Sequence, residues 1–386
     1  MLLKKLCIQW SVRLSCIFLV WCVPNKTSQV NTQTQNGIND VVTVWVIAPL
    51  NWPWWSYGQD VVEVAKRFTK QFNETHDDIT IRLQVENWSC NGKDAVSAAQ
   101  KLISIDRVVA IIWWVCSSET LAAGVVAQEQ WVMMLAPGSA SSRISDIWEY
   151  VVRTYNNTRA WQVLTNNLPS SYERVLVITE EKDYPKDMAD RFVDAFDGEV
   201  AYYSYQSADI DMKTFAKQVV QEENIDALFM FSQSEATSIP LALALEDEWL
   251  LTKFAGHTYG ANNLLVAPFL ERLWSLAEWM QEVNVATTTI DYTQDPYMQT
   301  LDGYAIQWDW FTVLQAADAF RMIAWVVAEE KWSTTRDSIK SYIYSYNNAN
   351  PYNWYLWTYW FDAVGDVVWI DFQMYEIVNW ERIVQS

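Results

Sequence analysis

Glycine is nearly missing from this chain. A protein of 386 residues ordinarily carries about 7% glycine, roughly 27 residues, yet only 10 are present. Histidine is rarer still. His76 and His257 are the only two, so a histidine-based triad or a histidine-rich metal site has little to draw on. The five cysteines include no Cys-x-x-Cys pair. No phosphate-binding Gly-Lys loop, His-Glu-x-x-His helix or Gly-x-Ser-x-Gly elbow occurs, so the common signatures of phosphoryl transfer, metalloprotease and hydrolase chemistry are wanting. Positive charge is also short. Lys and Arg number 27 against 47 Asp and Glu, a net charge of −20 with an isoelectric point near 4.5. No basic run offsets that balance, and nucleic-acid binding is not expected. A non-enzyme is the expectation, with no catalytic residue, metal or cofactor to nominate.

What is in excess is tryptophan, at 24 residues. Glycine and tryptophan together would make an ordinary glycine complement with a few tryptophans to spare. Their positions carry more than their number. Trp113-Trp114 fill a strand-to-helix turn, and Trp131, Trp249 and Trp332 follow helical segments. Such sites often need a positive φ, which glycine adopts freely and a bulky residue does not. Many of these tryptophans therefore read as UGA codons meant as glycine. The alternative is a Trp-rich binding surface, which has no reason to favour helix ends.

The first 21 residues carry Lys4, Lys5 and Arg13 ahead of a short apolar segment, Leu14–Val20. That segment is too short to span a bilayer and reads as a signal peptide. Leu19-Val20-Trp21-Cys22 is close to a bacterial lipoprotein cleavage box, which wants a small residue before the cysteine. Glycine at position 21 would restore it and make Cys22 the lipidated residue. Residues 22–40 are polar and read as a flexible tether. Cys7 and Cys16 leave with the signal peptide. Cys90 and Cys116 then remain, an even pair in an oxidising compartment, expected to form a disulfide; two buried thiols are the alternative.

From Val41 onward strands and helices alternate. Val41–Ala48, Ile79–Val85 and Val108–Ile112 read as strands; Gln59–Phe72, Lys93–Ile105 and Leu121–Gln130 read as helices. Trp131–Leu135 is a further apolar run, closed by Pro137-Gly138. A second series follows, with strands Arg174–Thr179, Glu199–Tyr205 and Ala227–Phe231 between helices Tyr184–Phe196, Met212–Glu222 and Ser234–Trp249. Alternation of this kind gives parallel sheets with crossovers, and two series give two α/β lobes. Ligands bind beyond the carboxyl ends of such strands. Cys116-Ser117-Ser118-Glu119-Thr120 sits at one of those ends and reads as a helix start, where unpaired N–H groups favour an anion or serve only as a cap.

Several stretches together carry a family resemblance: Val44–Leu50 with Ser56-Tyr57-Gly58, the Cys90-to-Cys116 spacing with Cys116-Ser117-Ser118, and Pro137-Gly138-Ser139. Glu180–Tyr184, Asp226–Phe231 and Phe361-Asp362 with Gly365-Asp366 extend it. The chain resembles the type I periplasmic binding proteins, the Leu/Ile/Val-binding family that serves branched-chain amino-acid ABC importers. The resemblance implies two Rossmann-like lobes joined by a three-strand hinge. Lobe 1 would hold residues 41–159 and 285–365, and lobe 2 residues 160–284 and 366–386. It also implies a ligand site. Ser117 matches the serine that holds a ligand carboxylate, with Ser118 beside it, and Gly138 matches a carbonyl offered to an ammonium. Tyr57 and Tyr184 match aromatic walls, although either could be structural. Ala140 stands where a threonine hydroxyl is usual, with Ser139 or Ser141 as substitutes. Thr258, beside His257, stands where an acid is usual, which leaves an amide, a carboxylate or a small peptide-like solute open beside an amino acid. His257 also reads as an ordinary loop histidine, and Gln233 as a helix-start residue facing either ligand or solvent.

The function so implied is an extracytoplasmic solute-binding lipoprotein that takes a small amino-acid-like ligand between its lobes. It would deliver that ligand to ABC permease and ATPase subunits, anchored by lipid on the outer face of the cytoplasmic membrane or in a periplasm. A ligand-sensing receptor ectodomain of the same fold is the alternative.

Overall fold

Asp40–Ala48 form the first strand, β1, buried along its whole second half. Val44, Val46 and Ala48 enter one core while Trp45 and Ile47 enter another, as a strand covered by helices on both faces requires. Helix α1 (Trp55–Thr75) returns the chain to β2 (Ile79–Asn87), then come α2 (Gly92–Ser104), β3 (Ala110–Trp113), α3 (Ser117–Glu129), β4 (Met133–Leu135) and β5 (Val151–Val152). These strands form a parallel five-stranded sheet in the order β2-β1-β3-β4-β5.

After β5 the chain moves to a second sheet. The elements are α4 (Ala160–Asn166), β6 (Arg174–Glu180), α5 (Asp183–Ala195), β7 (Glu199–Tyr205), α6 (Met212–Val219), β8 (Ala227–Phe231), α7 (Glu235–Asp247), α8 (Leu250–Lys253), β9 (Thr258–Ala261), α9 (Ala267–Leu273) and β10 (Gln281–Val285). The chain then leaves. Helix α10 (Trp310–Glu329) packs on α1, and α11 (Arg336–Ile343) on β4. Strands β11 (Tyr352–Asn353), β12 (Thr358–Phe361) and β13 (Val367–Val368) make a small antiparallel sheet. Finally β14 (Phe372–Val378) and β15 (Glu381–Val384) return to the second sheet, antiparallel to β10 and to each other. Its order is β15-β14-β10-β9-β8-β6-β7. The result is a mixed α/β protein of two lobes.

This computed structural model describes residues 40–385, apart from 52–54, 88–90, 114–115, 148, 157–158, 207–210, 262–263, 287–292, 308–309, 330–335, 354, 356–357 and 369. The expected signal peptide, nearly all of the tether, Cys22, Cys90, Trp114 and Trp332 therefore lie outside the described residues.

Helix α1 buries Val61, Val64, Ala65, Phe68 and Phe72 on one face, the spacing of an amphipathic core helix. Helix α10 is largely apolar and buries Val313, Ala317, Phe320, Ala324 and Val327. Its apolar length is core packing: 78% of its most apolar window is buried. Gly58 admits α1 close to the end of β1, since a Cβ there would lie 1.7 Å from the Pro49 carbonyl oxygen.

Several element boundaries differ from expectation, α1 by three or four residues at each end, and three of the differences have a local cause. The periodic segment from Leu121 is continuous with the helix start read at Cys116–Thr120: α3 begins at Ser117, because extended Cys116 takes the cap position and its carbonyl accepts the first bonds, from Glu119 N and Thr120 N. The apolar run from Trp131 contributes only Met133–Leu135 as strand, because Trp131 turns at φ 56°. The helix expected through Trp249 ends at Asp247, and a short further helix, α8, starts after the turn at Trp249, which has φ 64°.

Candidate functional site

Two segments at the carboxyl edge of the first sheet are stitched together. One is the first turn of α3, and the other is the loop that follows β4. The Ser117 hydroxyl accepts a bond from Ser141 N at 3.1 Å, and the Thr120 and Ser139 hydroxyls meet at 2.7 Å. From behind, the Gln315 side chain donates to the Pro137 carbonyl at 2.8 Å. Ser117, Ser139, Ala140 and Ser141 are buried, whereas Ser118 and Gly138 are half-buried. Ser117 and Ser118 are the first two helical residues, so their N–H groups have no acceptor within the helix. A carboxylate suits that position by charge and by hydrogen bonding. Cys116, which precedes them, is disulfide-bonded. Tyr57 lies half-buried in the first turn of α1, at the end of β1 on the same edge.

Glu119 lies in that turn with its carboxyl buried, accepting a bond from Asn91 N at 3.1 Å. Loss of hydration pushes its pKa up to about 7, against the smaller opposing effect of its hydrogen bonds. Sequence reading took this residue for part of a cap. Its burial follows from α2 and α3 packing side by side.

A residue that sequence reading passed over holds the loop in place. Arg153 is fully buried just beyond β5. Its guanidinium donates to Asp366 at 2.5 and 2.9 Å, to the Ala140 and Ser141 carbonyls and to the Ser145 hydroxyl at 2.9 Å. Gly365 lies against this junction at φ 85°, where a Cβ would come within 2.1 Å of the Val151 carbonyl oxygen. The available signal was an arginine directly following two core valines.

The facing wall comes from the second sheet. Tyr184, in the first turn of α5, is buried, as is Tyr155. Burial holds both phenols well above the ordinary tyrosine range, with the Glu282 charge adding to it, so both hydroxyls stay neutral. At the end of β6, buried Glu180 accepts from Gln233 N at 2.8 Å and from the Thr237 hydroxyl at 2.7 Å. Gln233 is thereby placed at the carboxyl edge, half-buried. Among the described residues no cluster of His, Cys, Asp or Glu could hold a metal ion.

Beside these elements lies a cleft of about 700 Å³, lined by Asn91, Gly92, Ser118 and Arg143 on one side and by Glu181–Asp183, Lys186, Asp187 and Asp190 on the other. Ser118 is the one expected site residue among this lining, and Ser117 and Tyr184 are buried behind it. The walls touch at its rim. Ser142 donates its N–H and hydroxyl to Asp187 at 2.9 and 2.7 Å. Arg191 donates to the Ser142 hydroxyl at 3.0 Å, and Arg143 pairs with Asp183.

His257 and Thr258 do not belong to this edge. Thr258 opens β9 at its amino end, buried, with its hydroxyl bonded to the Phe254 carbonyl at 3.1 Å. His257 is exposed beside it and meets the Tyr172 hydroxyl at 2.6 Å. In a parallel sheet the amino ends lie opposite the ligand edge. The expectation placed the usual acid one strand length too early. The next residues in the sequence, Asn262 and Asn263, lie outside the described residues.

A family model described as periplasmic binding protein matches residues 42–338. The leucine-specific-binding protein of Salmonella typhimurium is 22% identical over 209 residues, covering 51% of this chain and 55% of that protein. The chain thus spans about half the length of the curated relatives it matches. Among solved structures, an isoleucine-bound branched-chain amino acid transporter substrate binding protein from Streptococcus pneumoniae superposes with a TM-score of 0.74 at 15% identity, covering 89% of this chain and 98% of that one. A leucine binding protein from Thermotoga maritima gives 0.74 at 19% identity, with the same coverage of both chains. An ABC transporter solute binding protein from R. palustris, in complex with benzoate, gives 0.74 at 13% identity, covering 89% and 95%.

Proposed function

The chain belongs to the periplasmic binding protein family, and from that premise we propose that it is an exported solute-binding protein that delivers a small amino-acid-like carboxylate to an ABC importer. The observation that carries this reading is the helix start Ser117-Ser118, stitched to the loop after β4, with Ser118 lining a cleft that α5 borders on its other side. The ligand carboxylate sits on the first turn of α3, bonded by Ser117 and Ser118. Gly138 and Ser139 line the loop side, Tyr57 and Tyr184 form the walls, and Gln233 borders the second lobe. The second lobe then closes on the first through Asp183 and Asp187. The protein binds and releases its ligand without chemical change. Cys22 carries the lipid that holds it at the membrane, and Cys90 is the partner of Cys116.

With His257 and Thr258 off the edge, their lack of a negative charge no longer counts against a zwitterion. Isoleucine and benzoate, the ligands bound in two of the similar structures, share a carboxylate, and the carboxylate is the part this site recognises. A thermal-shift screen of branched-chain amino acids, their amides and aromatic carboxylates tests the reading. A free carboxylate should raise the melting temperature and its amide should not. Ser117→Ala should weaken binding of the hit by about 10-fold, the worth of one charged hydrogen bond. Stabilisation by amides alone would contradict the proposal.

A further inference from the structure

Eight non-glycine residues among those described adopt a left-handed backbone, and five of them are tryptophan: Trp131 (φ 56°), Trp249 (64°), Trp274 (44°), Trp279 (67°) and Trp380 (69°). Two of the other three are Asn224 and Asn379, a residue type that tolerates this region, whereas a bulky aromatic is an outlier there.

Four of the five occupy places with a known residue preference. Trp131 ends α3 with Val132 N bonded to the Ala127 carbonyl at 3.0 Å and Trp131 N to Gln128 at 3.3 Å. That is the bond pair of a helix stop whose left-handed residue is usually glycine. Trp249 follows α7 with one bond of that pair, its N–H on the Glu246 carbonyl at 2.8 Å. Trp274 ends α9 at φ 44° and ψ −115°, the first-position geometry of a type II′ turn, which glycine fills. Asn379 and Trp380 form the two-residue loop between β14 and β15, with Val378 paired to Glu381. Both have positive φ, and the favoured pair for that hairpin loop is Asn-Gly.

The side chains give a second line of evidence. All five indoles are turned outward, 46–71% exposed, and Trp274 and Trp380 stack on each other at 4.5 Å rather than on the core. Apart from the Trp274–Trp380 pair, what the five share is a turn of the backbone at positive φ and not a common face. The glycine deficit of the whole chain is the third line.

We infer that positions 131, 249, 274, 279 and 380 are glycine in the native polypeptide, inserted at UGA codons by a glycine-accepting tRNA whose anticodon reads UGA. The stacked and outward-facing indoles are then no docking surface, because the native protein does not carry them.

Two measurements decide it. Reading the gene and sequencing peptides of the protein from its source cells should give UGA at all five codons and glycine at all five residues. UGG codons, or tryptophan in the native peptides, would overturn the inference. The second measurement compares the chain as written with a variant combining W131G, W249G, W274G, W279G and W380G. At ordinary positions glycine loosens a chain. Here relief of five strained residues should raise the melting temperature by about 10 °C or more. An equal or lower melting temperature would count against glycine at these sites.

Discussion

Glu119 and Glu235 both sit in the first turn of a helix, buried, and burial pushes each up to about 7. An acid whose pKa is raised on folding holds its proton more tightly in the native state than in the unfolded one. Its favourable contribution is complete below the unfolded value of about 4.3 and is lost as pH rises through about 7. Each residue is worth up to about 3 kcal/mol on this scale. Melting temperature should therefore fall between about pH 5 and about pH 8. Glu119→Gln, which keeps the shape and removes the titration, should flatten part of that fall in a calorimetric pH series. Glu119 was visible in the sequence as the acid of a helix start, but its burial was not, because that depends on α2 packing alongside. Arg153 was less visible still. Its carboxylate partner, Asp366, is 213 positions away, and no local pattern encodes such a pairing.

At the scale of elements, strands were the legible part. Runs such as Val41–Ala48 and Ala227–Phe231 are apolar because helices cover both faces of their sheets, and that pattern is local. Helix stops were harder to place, since the glycine that normally marks them is written as tryptophan at 131 and 249. Strand β9 was not legible at all: the expected series stopped at Trp249, and Thr258 was set at the ligand edge by resemblance alone, whereas it opens the strand at its amino end. One element contact bears on ligand capture. The segment at Ser142-Arg143 meets α5 through Asp183, Asp187 and Arg191. On the proposed reading, in which the lobes close around a ligand, that contact favours the closed state and hence the bound ligand. Asp187→Asn should weaken ligand affinity by about 10-fold in titration calorimetry, from the loss of charged hydrogen bonds, with the ligand-free melting temperature nearly unchanged. Unaltered affinity would mean that closure does not use this contact.

Across the whole molecule, the chain passes from the first sheet to the second after β5, leaves it after β10 and returns at β14. The Arg153–Asp366 pair lies where two of those passages run side by side, joined also by a bond from Arg153 N to the Gly365 carbonyl at 3.0 Å. Breaking a buried pair on one side leaves an unpaired charge, at a cost of about 3–5 kcal/mol. Arg153→Met should lower the stability of both lobes together, seen as a single calorimetric transition displaced downward rather than as two separate peaks.

The late return of β14 and β15 has a consequence for how the protein is made. The second sheet lacks two of its seven strands until residues up to Val384 exist. The first lobe likewise awaits α10 and α11. At about 5–20 residues per second, the ribosome keeps both halves unfinished for about 20–80 s. Throughout that interval the nascent polypeptide stays threadable. A secretion channel that admits only unfolded chains would meet a substrate whose own topology has postponed its folding.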